Sequence, residues 1–214
     1  MLVHNDKAKK IQSKILMLTA AITRLEEELS KYREESRKTI IDKVNKILLE
    51  TARRDYCAEI DENFNLEMYH ANTRVPVAKS SGENQLLSIA FIASLVAFAA
   101  DRREDSSKLL KPGTMAPLML DSPFGQLGPS YRNSTAEFLP KLANQVILLV
   151  SKSQGDEDVI SVLDSKIGSE FILISEATGI QGSKPSDILE RHGKQYVCSV
   201  YDKEKNRTHI QKIA

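Results

Sequence analysis

Lys79–Ala100 reads KSSGENQLLSIAFIASLVAFAA, and this stretch decides the fold. It describes a tight turn running into a long apolar helix. Ser80 and Glu83 have the spacing of a capping box, in which the hydroxyl accepts from the Glu83 amide and the carboxylate reaches back to the Ser80 amide. Gly82 removes a side chain where the first helical amides point outward. Such an entrance joins free N–H groups to the positive end of a helix dipole, which suits a phosphate. Behind it Leu86, Leu87, Ile89, Phe91, Ile92, Leu95, Val96 and Phe98 spread over every face, so the helix is expected to run through the core. The same residues also describe an ordinary capped core helix, because a capping box is a common pattern.

Upstream, Lys7 to Glu50 contain neither Pro nor Gly. Ile11, Ile15, Leu18, Ile22, Leu25, Leu29 and Tyr32 alternate steps of four and three, the seam of a coiled coil. Ser36 weakens the seam, and Ile40 and Val44 follow it like a stutter. At about 1.5 Å per residue this helix reaches roughly 65 Å, more than the remaining chain can cover. It calls for a partner strand; the alternative is an amphipathic helix lying on the domain. Thr51–Glu62 is expected to continue helical without the seam. Phe64–His70 alternates like a strand, Ala71–Arg74 is a turn, and Val75–Ala78 with Pro76 reads as a short edge strand.

Downstream, Asp101–Gly113 reads as a charged loop. Ala116–Asp121, APLMLD, is a short buried strand ending in a carboxylate, the place where an open α/β sheet puts its ligand chemistry. A helix is expected over Ser130–Leu142 with Pro129 in its first turn. Asn144–Ser151 and Phe171–Ser175 read as further strands. Gln195–Tyr201 and Thr208–Ile213 read as a closing hairpin. The alternation predicts an α/β domain with a mostly parallel sheet over residues 61–214, preceded by an arm over 1–60.

Bulk composition narrows the function little. The chain has 214 residues, with 30 basic against 29 acidic side chains and a formal charge of +1. That balance neither demands nor excludes nucleic acid. Cys57 and Cys198 have no partner spacing, which argues against a disulfide framework or a zinc site and for a reducing, intracellular setting. No leader pattern opens the chain. Leu86–Ala100 is expected to be too short for a membrane span. The four histidines share no metal spacing.

An arm, a phosphate-ready turn and a strand ending in Asp, in that order, resemble the C-terminal half of ABC-type ATPase heads with coiled-coil arms. These families are the structural-maintenance-of-chromosomes (SMC) proteins, the ATPase of double-strand-break repair and DndD. SSGENQLL looks like their signature motif and PLMLDSPFG like their Walker B strand. GQLGPSYR sits where they place the D-loop, and the end of QVILLVSK where they place the switch residue. The resemblance implies ATP and Mg²⁺ as cofactors. Ser80, Ser81, Gly82, Glu83 and Gln85 would contact the ATP of an opposite head, Gln126, Leu127 and Gly128 would form the D-loop, and Asp121 would hold Mg²⁺ through water.

Ser122 stands where most relatives carry the Glu that activates water, although DndD-like relatives have a similar Asp–Ser/Thr–Pro. Gly128 replaces the D-loop Asp, and Lys152 stands at the switch His. Serine is no general base at neutral pH without a neighbour, and lysine cannot relay a proton as histidine does. No P-loop pattern appears. The chain therefore reads as the returning arm and second half of a head whose N-terminal P-loop half is supplied in the same or another polypeptide. The resemblance further implies a homodimer of heads, DNA, a nuclease or defence-complex subunit as partners, no membrane, and a cytoplasmic, nucleoid-associated location. A non-hydrolysing ATP-gated clamp and a plain coiled-coil interaction protein are the alternatives.

Overall fold

The computed structural model describes residues 2–105, 117–155, 157–179, 187–201 and 203–214, the first five by backbone alone. The chain is mixed α/β behind a long N-terminal helix, α1 (Leu2–Thr51). It divides into two compact units. One contains residues 1–119 and 126–147, the other 120–125 and 148–214.

In the first unit α1 runs 50 residues, about 75 Å. Its seam changes role along its length. Leu18 and Leu25 are 63% and 67% exposed, whereas Ile40, Val44, Ile47 and Leu48 are buried. The helix ends at Thr51, whose hydroxyl donates to the Ile47 carbonyl. The expected helical continuation is therefore wrong: β1 (Tyr56–Ile60) follows and pairs antiparallel with β2 (Leu66–His70). Alternating burial along β1 shows that its apolar residues have the strand period, which a helical reading of this short stretch misses. Asn45 fastens β1 to α1, donating to the Ala58 carbonyl at 3.0 Å and accepting the Ala58 amide at 2.7 Å. The expected strand at Val75–Ala78 reduces to a single bridge, Tyr69 with Pro76.

Helix α2 (Ser81–Glu104) packs against the lower half of α1 through Leu86, Leu87, Ile89, Ala90, Ala93 and Ser94. Ile92 is exposed, so only one side of α2 is buried rather than every face. Asp101–Glu104 belongs to this helix and not to a loop. Residues 106–116, the rest of the expected loop and the start of the expected strand, lie outside the described residues. Because α2 extends to Glu104, it has the length and composition of a membrane crossing, a test that core helices also pass. Arg102 ties its end to α1, donating to Ser36 at 3.3 Å and stacking over Tyr32. Helix α3 (Pro129–Phe138) begins on Pro129 and passes into a 3₁₀ turn, Leu139–Lys141.

The division between units passes through β3 (Leu118–Asp121) and β4 (Val146–Leu149), which form a two-stranded sheet. Leu118 donates to the Gln145 carbonyl and Ser122 to that of Leu149. These bonds advance in step along both strands, so the pair is parallel. The second unit continues with α4 (Glu157–Leu163), whose first turn is acidic. Its four-stranded sheet has the order β6 (Asp187–Arg191), β7 (Lys194–Tyr201), β5 (Phe171–Ala177), β8 (Arg207–Lys212).

The expected β7–β8 hairpin does not form, because β5 lies between those strands, parallel to β7 and antiparallel to β8. The hairpin is β6–β7, turned at His192 and Gly193, both with positive φ. The sheets are small and only partly parallel, instead of one mostly parallel sheet.

Candidate functional site

At the entrance of α2 the capping box is complete. The Ser80 hydroxyl accepts the Glu83 amide at 3.3 Å, and the Glu83 carboxylate accepts the Ser80 amide at 2.8 Å and the Ser80 hydroxyl at 2.9 Å. The Asn84 amide goes to the Ser80 carbonyl. That leaves the Ser81 and Gly82 amides as the outward donors of the first turn. The Ser80 hydroxyl proton is engaged by the chain's own Glu83, so a phosphate would have to compete for it.

Tyr56, buried on β1, donates its phenol to the other Glu83 oxygen. Burial pushes the Glu83 pKa up, and the hydrogen bonds from Tyr56 and Ser80 outweigh it, leaving the carboxyl below its usual value. Burial and the Glu83 bond raise the Tyr56 phenol, against the hydrogen bond from Arg54.

Gly82 has a further reason to be glycine. A Cβ there would lie 2.8 Å from the Gln126 carbonyl oxygen. Gln85, one turn on, accepts the Gln126 amide on its side-chain oxygen at 2.8 Å. The turn residues Ser80–Gln85 and the segment Gln126–Gly128 are therefore joined in the first unit. Leu127 is buried, and its carbonyl accepts from Arg132 at 2.9 Å. Gly128 is the N-cap of α3.

Asp121 and Lys152 belong to the second unit. Asp121 is exposed at the C-terminal end of β3. Ser122 follows with φ 52°, a left-handed conformation costly for a residue with a side chain, and donates its hydroxyl to Asp121 at 3.1 Å. A turn closes from the Gly125 amide to the Ser122 carbonyl, anchored by the fully buried Phe124. Lys152 does not project freely; it donates to the Ile188 carbonyl at 2.7 Å and lies 3.8 Å from Asp187. Gln154 packs its amide against Gly125, with its carbonyl oxygen buried and without a hydrogen bond among the described residues.

Among the described residues no three His, Cys, Asp or Glu side chains cluster as a metal cage. An exposed single carboxylate beside a hydroxyl fits Mg²⁺ only in the mode where the ion keeps its waters and takes its other ligands from phosphate. Sequence reasoning misses Tyr56 and Arg54, because it places them on a continuing helix rather than at the start of β1. It also misses Gln154; no sequence signal marks a buried amide in a loop.

No family model matches the chain, and no curated protein matches it. Solved structures of SMC heads and SMC ATPases are among those that resemble it. One is an Smc head bound to the C-winged-helix domain of ScpA, 16% identical over 77% of this chain, TM-score 0.46. Another comes from work on ATP-driven dimerization and DNA-stimulated activation of SMC ATPases, 13% identical over 84% of this chain and 86% of its own length, TM-score 0.46. The third is an Smc head with an extended coiled coil bound to the C-terminal domain of ScpA from Pyrococcus furiosus, 14% identical over 78%, TM-score 0.47. The chain spans 43% and 40% of the first and third.

Proposed function

We propose that the chain is the C-terminal half of an SMC-like ATPase head, working with a P-loop-bearing half and a second head to engage on ATP in DNA maintenance or defence. The observation that carries this reading is the junction of Gly82 and Gln85 with Gln126. Two motifs far apart in sequence, each loose alone, meet where a shared nucleotide would need both. In this reading the Ser81 and Gly82 amides donate to phosphate oxygens and the Asp121 carboxylate holds a hydrated Mg²⁺. Bound Mg-ATP would supply the phosphate charge that draws the heads together.

Exposed apolar side chains also support an incomplete head. Phe171, Leu173 and Ile210 are 57%, 53% and 67% exposed, and the pairing of Leu173 with Ile210 sets all three on one face of the four-stranded sheet. The exposed seam of α1 supports the arm in the same way.

A second reading, a clamp that engages without hydrolysis, is favoured by Lys152, whose ammonium is held by Ile188, and by Ser122, whose hydroxyl is spent on Asp121. The experiment is reconstitution with a P-loop half. Head association that requires ATP, and that Ser80→Arg abolishes, is the expected result; association indifferent to both would overturn the proposal. Phosphate release by the wild type, lost in Asp121→Ala, selects the enzyme over the clamp.

A further inference from the structure

Just beyond the end of α1 the first unit holds an open cavity of about 540 Å³, lined by Arg53, Arg54, Asp55, His70, Asn72 and Thr73. It is rich in donors. Two adjacent guanidiniums face it together with an imidazole, an amide and a hydroxyl, and Asp55 alone brings a carboxylate. Arg53 has no side-chain partner among the described residues. Arg54 stands beside the Tyr56 phenol and opposes the rise of its pKa, and that phenol donates to Glu83, the carboxylate that caps α2 at Ser80. Arg54 thus borders the cavity on one side and the capping-box hydrogen bonds on the other.

We propose that this cavity is a binding site for a phosphate group, and that its occupation is transmitted through Arg54 and Tyr56 to the Glu83–Ser80 cap. Guanidinium forks match phosphate oxygens two at a time, and such charge-assisted bonds are stronger than a bond to a neutral phenol. A phosphate between Arg53 and Arg54 relieves their mutual repulsion and draws Arg54 from Tyr56. Tyr56 then keeps Glu83 as its hydrogen-bond acceptor and His70 as its ring neighbour, and the environment of the cap changes. The site does not depend on the ATPase reading, since neither Asp121 nor a partner chain enters into it. The phosphate oxyanions of a free monoester and of a nucleic-acid backbone offer the same chemistry.

The test is a titration of the intact chain, isotopically labelled, with inorganic phosphate at constant ionic strength, followed by amide NMR. Saturable shifts at Arg53, Arg54, Asn72 and Thr73, with coupled shifts at Ser80 and Glu83, are expected. Arg53→Glu should weaken binding by roughly tenfold or more, the value of a lost charge-assisted contact, and Asp55→Asn should tighten it. Tyr56→Phe should keep the binding and lose the coupled shifts; Arg54→Lys, which retains charge without the fork, should weaken both and serves if the buried tyrosine cannot be replaced. A short DNA duplex that displaces phosphate from the same residues identifies a backbone site, and a duplex that does not identifies a free phosphate. Shifts that grow linearly with phosphate, or that are unchanged in Arg53→Glu, would overturn the proposal.

Discussion

A Cβ built on Gly82 would stand 2.8 Å from the backbone carbonyl oxygen of Gln126. That oxygen cannot swing away as a side chain could, since the Gln126 amide is also held by Gln85. Gly82→Ala is therefore expected to cost about 1–3 kcal/mol, the range for overpacking a fitted contact. Urea unfolding measures the loss. If the chain is half of an ATP-engaged head as proposed, the same substitution should weaken association with the P-loop half more than its effect on stability accounts for, because it pushes the two segments apart.

Gly128 is the contrasting glycine. Among the described residues no atom lies within 4 Å of a Cβ there, and it caps α3 without a side-chain bond. Gly128→Asp adds an N-cap oxygen where the backbone is already extended. A gain of a few tenths of a kcal/mol is expected, read as a small rise in the unfolding midpoint.

Ser122 holds φ 52°. A residue without a Cβ has no penalty in that region, so Ser122→Gly is expected to recover about 1 kcal/mol, less the lost hydroxyl bond to Asp121. A thermal scan comparing Ser122→Gly with Ser122→Ala separates the two contributions, because alanine loses the hydroxyl and keeps the strain.

How legible these features are depends on how local they are. The capping box of Ser80 and Glu83 is read from four adjacent residues because its bonds are made within one turn. The proline start of α3 and the carboxylate ending β3 are equally local. The pairing of β5 between β7 and β8 is not, since the hydrophobic period of a strand fixes its faces and says nothing of its neighbours. The Tyr56–Glu83 bond joins residues on different elements and emerges only once Tyr56–Ile60 is seen as a strand. The reason for Gly82 is likewise half legible: the sequence marks an open amide turn, while the steric demand comes from Gln126.

Acid should loosen both units through lowered carboxyl groups. At Glu170 burial raises the pKa, but the hydrogen bonds from Arg191 and His192 lower it further, for a net fall. Glu83 is lowered in the same way by Tyr56 and Ser80. A carboxyl whose folded pKa is depressed contributes its full stabilisation above the unfolded value, about 4.3, and loses it as pH falls through the folded value. Unfolding free energy is therefore expected to decline below about pH 4.3, and Glu83→Gln with Glu170→Gln should flatten that decline. A decline of unchanged slope in the double variant would show that other groups carry it.

Two leucines on α1 should respond oppositely to substitution. Leu25 is 67% exposed on the upper seam, and Leu48 is 1% exposed where the helix meets the domain. Leu48→Ala removes packed methyl groups and is expected to cost about 2–5 kcal/mol. Leu25→Asp should change the stability of the isolated chain by no more than about 0.5 kcal/mol, as surface changes do. If α1 is one strand of the proposed arm, the same aspartate at a seam position would bury an unpaired charge against the partner helix and should abolish that pairing. Sedimentation of the chain with a peptide of that strand measures pairing, and denaturant unfolding of the chain alone measures stability. If Leu25→Asp destabilises the isolated chain as Leu48→Ala does, the upper half of α1 lies on the domain, and the arm needs no second strand.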